Sequence, residues 1–172
     1  MSISKTLRQK IRKKANYACE YCGISETDTG GELTIDHFQP ISADGNDNEE
    51  NLVYCCFRCN LYKGDYWSEN EQIFNPRKDK FDEHFWLSET GKLFGLSGIA
   101  EFTIKLLRLN RQPLITKRQQ DFQKLEEHQI LEQTNKALET LIRLSQQQRE
   151  LLQKQQELLQ EQRRLIEFLS RK

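Results

Sequence analysis

Cys19-Glu20-Tyr21-Cys22 and Cys56-Phe57-Arg58-Cys59-Asn60 bracket a segment that carries Asp36-His37 and Asn51. Each Cys-x-x-Cys pair has the spacing of a metal-binding knuckle, and zinc favours four tetrahedral sulfur or nitrogen ligands. Read this way, Cys19, Cys22, Cys56 and Cys59 hold one structural zinc ion. Cys55 is the odd cysteine. It ends the apolar run Leu52-Val53-Tyr54, where a small thiol packs well. Pairing it with Cys59 gives Cys-x3-Cys, a less regular knuckle. The start of the chain, Met1-Ser2-Ile3-Ser4-Lys5, lacks the apolar core of a secretory signal. No apolar run reaches the length of a membrane span. A cytoplasmic location with reduced thiols is therefore expected, which favours metal over disulfides.

Composition divides the 172 residues into three regions. Residues 1–70 hold the cysteines, the Asp-His pair and most turn signals. Residues 71–113 are aromatic-rich and mixed. Residues 114–172 contain no Gly, Pro, Cys, Trp or Tyr. In the first region, residues 5–16 read as a helix, with Ile3, Leu7, Ile11 and Ala15 on one stripe. Residues 32–36 alternate as a short strand, residues 52–55 form a second, and a helix is expected over 60–67. In the second region, apolar runs at 81–87 and 92–96 flank Ser88-Glu89-Thr90-Gly91, a hairpin turn. A helix follows over 99–110, capped by Ser97 or Gly98, and Pro113 suits the first turn of the next.

The last region repeats every seven residues. Leu144, Leu151, Leu158 and Leu165 make one seam. Leu138, Leu152, Leu159 and Ile166 make the adjacent one, interrupted by Ser145. A period of seven under-winds a helix into a left-handed coiled coil. Gln148, Gln155 and Gln162 fill the other core layer. Such polar layers lower stability and favour a particular register or partner. A long solvated helix folding back on its own domain competes with association, either with a second copy or with a foreign helix.

Hydrophobic residues make up 36% of the chain and charged residues 30%, so a small core is expected. The formal net charge is zero, so bulk charge gives no argument for a polyanionic partner. Charge is uneven along the chain, however. Lys5, Arg8, Lys10, Arg12, Lys13 and Lys14 occur with no acid among them. Such an arm is either a phosphate-contacting surface, with Lys10, Arg12, Lys13 and Lys14 as candidates, or a solvated helix face.

Ile35-Asp36-His37, then Asn51-Leu52-Val53, then Cys56-x-x-Cys59-Asn60-x-x-Lys63-Gly64 resembles the HNH endonucleases of the ββα-metal fold, in the type with two zinc knuckles. The resemblance covers roughly residues 15–66. Asn60 stands at the third signature position where His is usual, which gives the His-Asn-Asn variant. With this domain and the patterns read above, the expected fold class is α+β: a small zinc-stabilised ββα-metal nuclease domain, a hairpin and helix extension, and a long C-terminal coiled-coil helix. The resemblance implies His37 as general base, Asp36 and Asn60 as ligands of a catalytic divalent ion, and Asn51 as the residue that holds the loop orienting His37. It also makes DNA the expected substrate.

The chemistry of these residue types fits those roles. A neutral imidazole accepts a proton from water near its unperturbed pKa of ~6.5. Carboxylate and amide oxygens suit a hard ion such as Mg²⁺ or Mn²⁺, which stabilises charge on the phosphate and the leaving oxygen. Lys63 is a further candidate for contact with the phosphate backbone. His84 and His128 read as structural and solvated respectively, and Arg77, Lys78 and Lys80 form a basic stretch diluted by acids. A non-catalytic zinc module that binds nucleic acid, or recruits a partner through the coiled coil, is the competing reading. It has no need for a base and two hard-ion ligands.

Overall fold

Helix α1 (Lys5–Lys14) opens the chain in the computed structural model, which describes residues 3–170. Ser4 caps it by accepting from Leu7 N at 3.2 Å, and Ile11 is its fully buried residue. It stops two residues before the expected end because Asn16 and Tyr17 take positive φ, which breaks the helical ladder. The first knuckle follows, then α2 (Glu26–Thr29), with Ser25 and Asp28 forming a capping box.

Strand β1 (Thr34–His37) pairs antiparallel with β2 (Leu52–Cys55), in the register Thr34↔Cys55 to His37↔Leu52. All four residues of β2 are buried, since α1 covers it on one side. Helix α3 (Phe57–Lys63) starts immediately after β2, three residues earlier than expected. Its cap is Cys56, whose Sγ accepts from Cys59 N at 3.4 Å. A cysteine is not a usual capping residue, so the start was hidden in the sequence. Gly64 ends the helix.

Residues 71–113 build on the same core. Ile73, Phe74, Phe85, Leu93, Ala100, Leu107 and Leu109 join Ile11, Leu52, Val53 and Tyr54 in one buried cluster. The expected strand over 81–87 is split. Phe81–His84 forms a helical turn, α4, which stacks Phe81 on Phe85 at 4.7 Å, and only Phe85–Leu87 is strand, β3. β3 pairs with β4 (Leu93–Gly95). The turn between them requires glycine at 91. Its φ is 77°, and an added Cβ would sit 2.6 Å from the Ile115 carbonyl oxygen. Helix α5 (Gly98–Leu106) is capped by Ser97, one of the two caps the sequence offers, and ends early because Arg108 is left-handed. Thr103, fully buried, accepts from Phe74 N at 2.8 Å and donates to Ile99 O at 2.7 Å.

Helix α6 (Gln112–Ser170) is the last element among the described residues. The chain divides into two compact units, one ending at Phe122 and one starting at Gln123. Leu114 and Ile115 of α6 are buried in the first unit. In the second, Leu144, Leu151, Leu158 and Leu165 are each at least 51% exposed. Lys136 pairs with Glu132 at 2.7 Å, one helical turn away. The architecture is α+β, with two small two-stranded sheets and one long terminal helix. No helix among the described residues is long and apolar enough to cross a membrane.

One buried ion pair locks the first knuckle to β2 and to the segment beyond residue 71. Arg77 pairs with Glu20, and the two side chains are only 3% and 11% exposed. Arg77 also donates to Leu52 O at 2.6 Å, and Glu20 accepts from Tyr54 N at 2.7 Å. In the sequence Arg77 reads as one member of a basic stretch diluted by acids. It is a structural latch instead. Removing one member of such a pair strands the other charge, so Arg77→Ala should lower the unfolding free energy by about 3–5 kcal/mol in urea denaturation. A loss below about 1 kcal/mol, the scale of an exposed pair, would mean the latch carries no load.

Candidate active site and metal centre

The four knuckle sulfurs converge. Cys19, Cys22, Cys56 and Cys59 offer ligand atoms that all lie within 4.8 Å of one another. Cys22 Sγ and Cys56 Sγ, one from each knuckle, are 3.7 Å apart. A tetrahedron with zinc–sulfur arms of ~2.3 Å has edges of ~3.8 Å, so the quartet has the size a zinc ion requires. Its electrostatics point the same way. Burial pushes the Cys19 thiol well up, while hydrogen bonds from Cys19, Cys22 and Cys59 hold Cys56 well down. Thiols this close resist ionising together, and a divalent cation removes that conflict. Arg111 adds positive charge, with Nη2 at 4.0 Å from both Cys22 Sγ and Cys56 Sγ.

Cys55 stays outside the quartet. It is fully buried at the end of β2, and burial, with the nearby Asp36 charge, pushes its thiol up to about 12. A thiol of that kind packs as a small apolar group.

β1 ends on Asp36 and His37, which face different partners. Asp36 Oδ2 is buried, and the positive charge it meets is Lys63 Nζ at 3.0 Å. Burial raises the Asp36 pKa, and the charge of Lys63 only partly opposes it. This carboxylate is thus short of positive charge. His37 Nε2 is 2.7 Å from Asp47 Oδ1, and no described residue bonds Nδ1. With Nε2 donating to a carboxylate, Nδ1 carries the lone pair. Asn60, on α3, makes one long contact from Nδ2 to Thr34 Oγ1 at 3.5 Å, which leaves Oδ1 free.

Asn51 holds the intervening loop together. Its Oδ1 accepts from Gln39 N at 2.8 Å, and its Nδ2 donates to Gln39 O at 3.0 Å and Asn46 O at 2.9 Å. That fixes the chain just beyond His37 and the loop that presents Asp47.

Lys63 is not placed to meet a phosphate. Its side chain is fully buried, and Nζ donates to His37 O at 2.7 Å as well as pairing with Asp36. The basic arm is largely neutralised too. Lys10 and Lys14 both pair with Glu49, and Arg12 bridges Glu26 and Glu32. Lys13 alone of the four candidates is exposed with no ion-pair partner among the described residues. His84 bonds Ser97 Oγ at 2.7 Å inside the hairpin region, and His128 is exposed on α6. Asp47 was missed. The available signal was its place as the acid in the amide-rich loop Asn46-Asp47-Asn48, ten residues after His37.

Residues 19–66 match the HNH endonuclease family model. The chain is 33% identical over 91 residues to the CRISPR-associated endonuclease Cas9 of Corynebacterium diphtheriae, covering 49% of this chain and 8% of that protein. It is 25% identical over 146 residues to the Septu protein PtuA of Bacillus mycoides, covering 66% of this chain and 20% of that protein. The matched stretches thus span no more than a fifth of either relative. The segment that contains the thiol quartet, β1, β2 and α3 is the one that carries the HNH match.

The quartet should retain about one zinc per chain in elemental analysis. Cys59→Ser should lose the metal together with cooperative folding, while Cys55→Ser should keep it. Equal zinc loss from both variants would refute the division between ligand and packing thiols.

Proposed function

We propose that this chain is a metal-dependent endonuclease that hydrolyses DNA phosphodiester bonds. The observation that carries the reading is the Asp36 carboxylate, buried and short of positive charge beside an imidazole with one free nitrogen. The Asp36 carboxylate and Asn60 Oδ1 would hold a divalent ion such as Mg²⁺ or Mn²⁺, both being hard oxygen donors. When bound, that ion supplies charge stabilisation for the phosphate and the leaving oxygen. His37 Nδ1 takes the proton of the attacking water. Asp47 fixes the imidazole tautomer, so that the lone pair stays on Nδ1, and it stabilises the imidazolium once formed. Lys63 holds the Asp36 carboxylate and the His37 carbonyl in one arrangement. Asn51 keeps the loop closed behind them. Zinc serves folding and stays apart from the chemistry.

In a plasmid assay with Mg²⁺ or Mn²⁺, the protein should nick or cut DNA, and EDTA should stop it. His37→Ala should reduce the rate by ~10²–10⁴-fold, the usual share of a general base, with zinc content unchanged. Full activity in that variant, with contaminating nucleases excluded, would remove His37 from the mechanism. Absence of nicking under any metal would favour a zinc module that binds nucleic acid without cutting it.

The second unit supports a further part of the proposal. Its leucine seam is exposed in the single chain, with Gln148, Gln155 and Gln162 beside it. An isolated helix of this kind frays unless packed. We infer that residues 123–170 associate with another helix, either in a homodimer or on a partner protein. Two nuclease sites joined by such a dimer would cut both strands. Sedimentation of the full chain should show an assembly that Leu151→Glu with Leu158→Glu reduces to monomer. A monomeric wild type would exclude self-association and leave the foreign helix.

A further inference from the structure

Beside the loop that carries Asp47 lies a cleft of about 190 Å³. Its walls hold polar groups that neither the fold nor the proposed chemistry uses. Asn75 is only 8% exposed, and its Oδ1 accepts from Arg77 N at 2.9 Å. Its Nδ2 is left without a protein partner at the cleft wall. Gln39 donates from Nε2 to Ala43 O, which leaves its Oε1 open. Asn46 Oδ1 accepts from Asn48 N, which leaves the Asn46 Nδ2 free, and the Asn48 side chain has no hydrogen-bond partner among the described residues. Trp67 forms another wall. It is 36% exposed and held edge-on by Phe38 at a centroid distance of 5.8 Å. Lys78 stands at the same cleft, exposed and with no ion pair among the described residues.

Asn51 gives the contrast. It touches the same cleft, but both ends of its amide are spent on the loop itself. Asn51 is thus spent at both ends, whereas Gln39 and Asn46 are spent at one end only and keep the other available.

We propose that this cleft receives one unpaired nucleobase of the strand being cut. Free amide donors and acceptors match the mixed edge of a base, as when Asn or Gln grips adenine through N6 and N7. Glu50, also on the wall, accepts from an exocyclic amino group. An exposed indole face is a stacking platform for any base, and Lys78 is a point charge for the attached phosphate. The position ties the cleft to the proposed chemistry. Gln39 follows His37 by two residues, and Asp47, which holds His37, sits between Asn46 and Asn48. A base inside the cleft has left its stack, so the favoured substrate is single-stranded, frayed or mismatched. This inference rests on the nuclease reading and narrows it to a substrate class.

The chain has two tryptophans, Trp67 and Trp86. The full chain with His37→Ala and Trp86→Phe leaves Trp67 as the only tryptophan, which is excited selectively over the tyrosines, and prevents cutting. It is titrated with a labelled single-stranded oligonucleotide, the same strand made abasic, and the matching duplex. The single strand should quench Trp67, and the abasic strand should not. By anisotropy, Trp67→Ala should weaken single-strand binding by roughly 5-fold or more, the smallest effect expected of base–aromatic stacking. Asn48→Ala, an exposed change that disturbs no internal bond, should weaken it as well. Equal quenching by the abasic strand, or binding unchanged in both variants, would overturn the cleft while plasmid cutting by the wild type keeps the nuclease reading. A preference for the duplex would also overturn it. Failure to bind any oligonucleotide, together with failure to cut, would overturn both.

Discussion

Four cysteine sulfurs within 4.8 Å of one another are the constraint on which the rest of this molecule depends. They come from two knuckles 34 residues apart between Cys22 and Cys56. Closing that loop costs chain entropy, and the two strands inside it are only four residues each. Metal binding free energy is folding free energy in such a domain. The knuckles also set positions. Cys56 caps α3 and Cys59 lies on it, so the ligands that close the loop orient the helix that carries Asn60 and Lys63. Glu20, inside the other knuckle, meets Tyr54 N on β2 and Arg77 beyond it. The metal centre, the sheet and the later segment are thereby fixed to one another.

The site itself is an arrangement of incompletely matched charge. Lys63 is fully buried, an expensive place for an ammonium group unless it is paired. It is matched by Asp36 and by the His37 carbonyl. Even so, desolvation wins at Asp36, whose pKa lies above the ordinary carboxylate value. A carboxylate in that condition is stabilised by more positive charge. Asn60 Oδ1 is a neutral oxygen on the adjoining helix, and the same ion would satisfy both. His37 is treated differently, since Asp47 is dedicated to it. Asp36 and His37 are neighbours in sequence but serve separate partners, as expected of alternating positions on a strand.

What the sequence made legible follows from the range of each interaction. The thiol quartet was readable because ligand spacing is local within each knuckle. The two strands, the hairpin turn at Gly91 and the long terminal helix were readable from short periodic patterns. The failures were long-range or chemically unusual. Arg77 and Glu20 pair across 57 positions, and nothing near Arg77 distinguishes it from a surface cation. Lys14 meets Glu49 across 35 positions, so the basic arm looked free when it is largely paired. Lys63 sat in a recognisable motif, yet only the fold shows that it faces inward. The start of α3 was missed because its cap is a thiol, and 81–87 was read as one strand because a helical turn and a strand share the same apolar run.

The proposed function gives frame and chemistry to different metals, with sulfur holding one and oxygen the other. The most direct test is Mn²⁺ binding to zinc-loaded His37→Ala protein, followed by electron paramagnetic resonance, against the same protein with Asp36→Ala added. The account predicts about one Mn²⁺ per chain, lost on adding Asp36→Ala, with zinc retained in both. Mn²⁺ binding that survives Asp36→Ala, or no Mn²⁺ binding while zinc is in place, would contradict it.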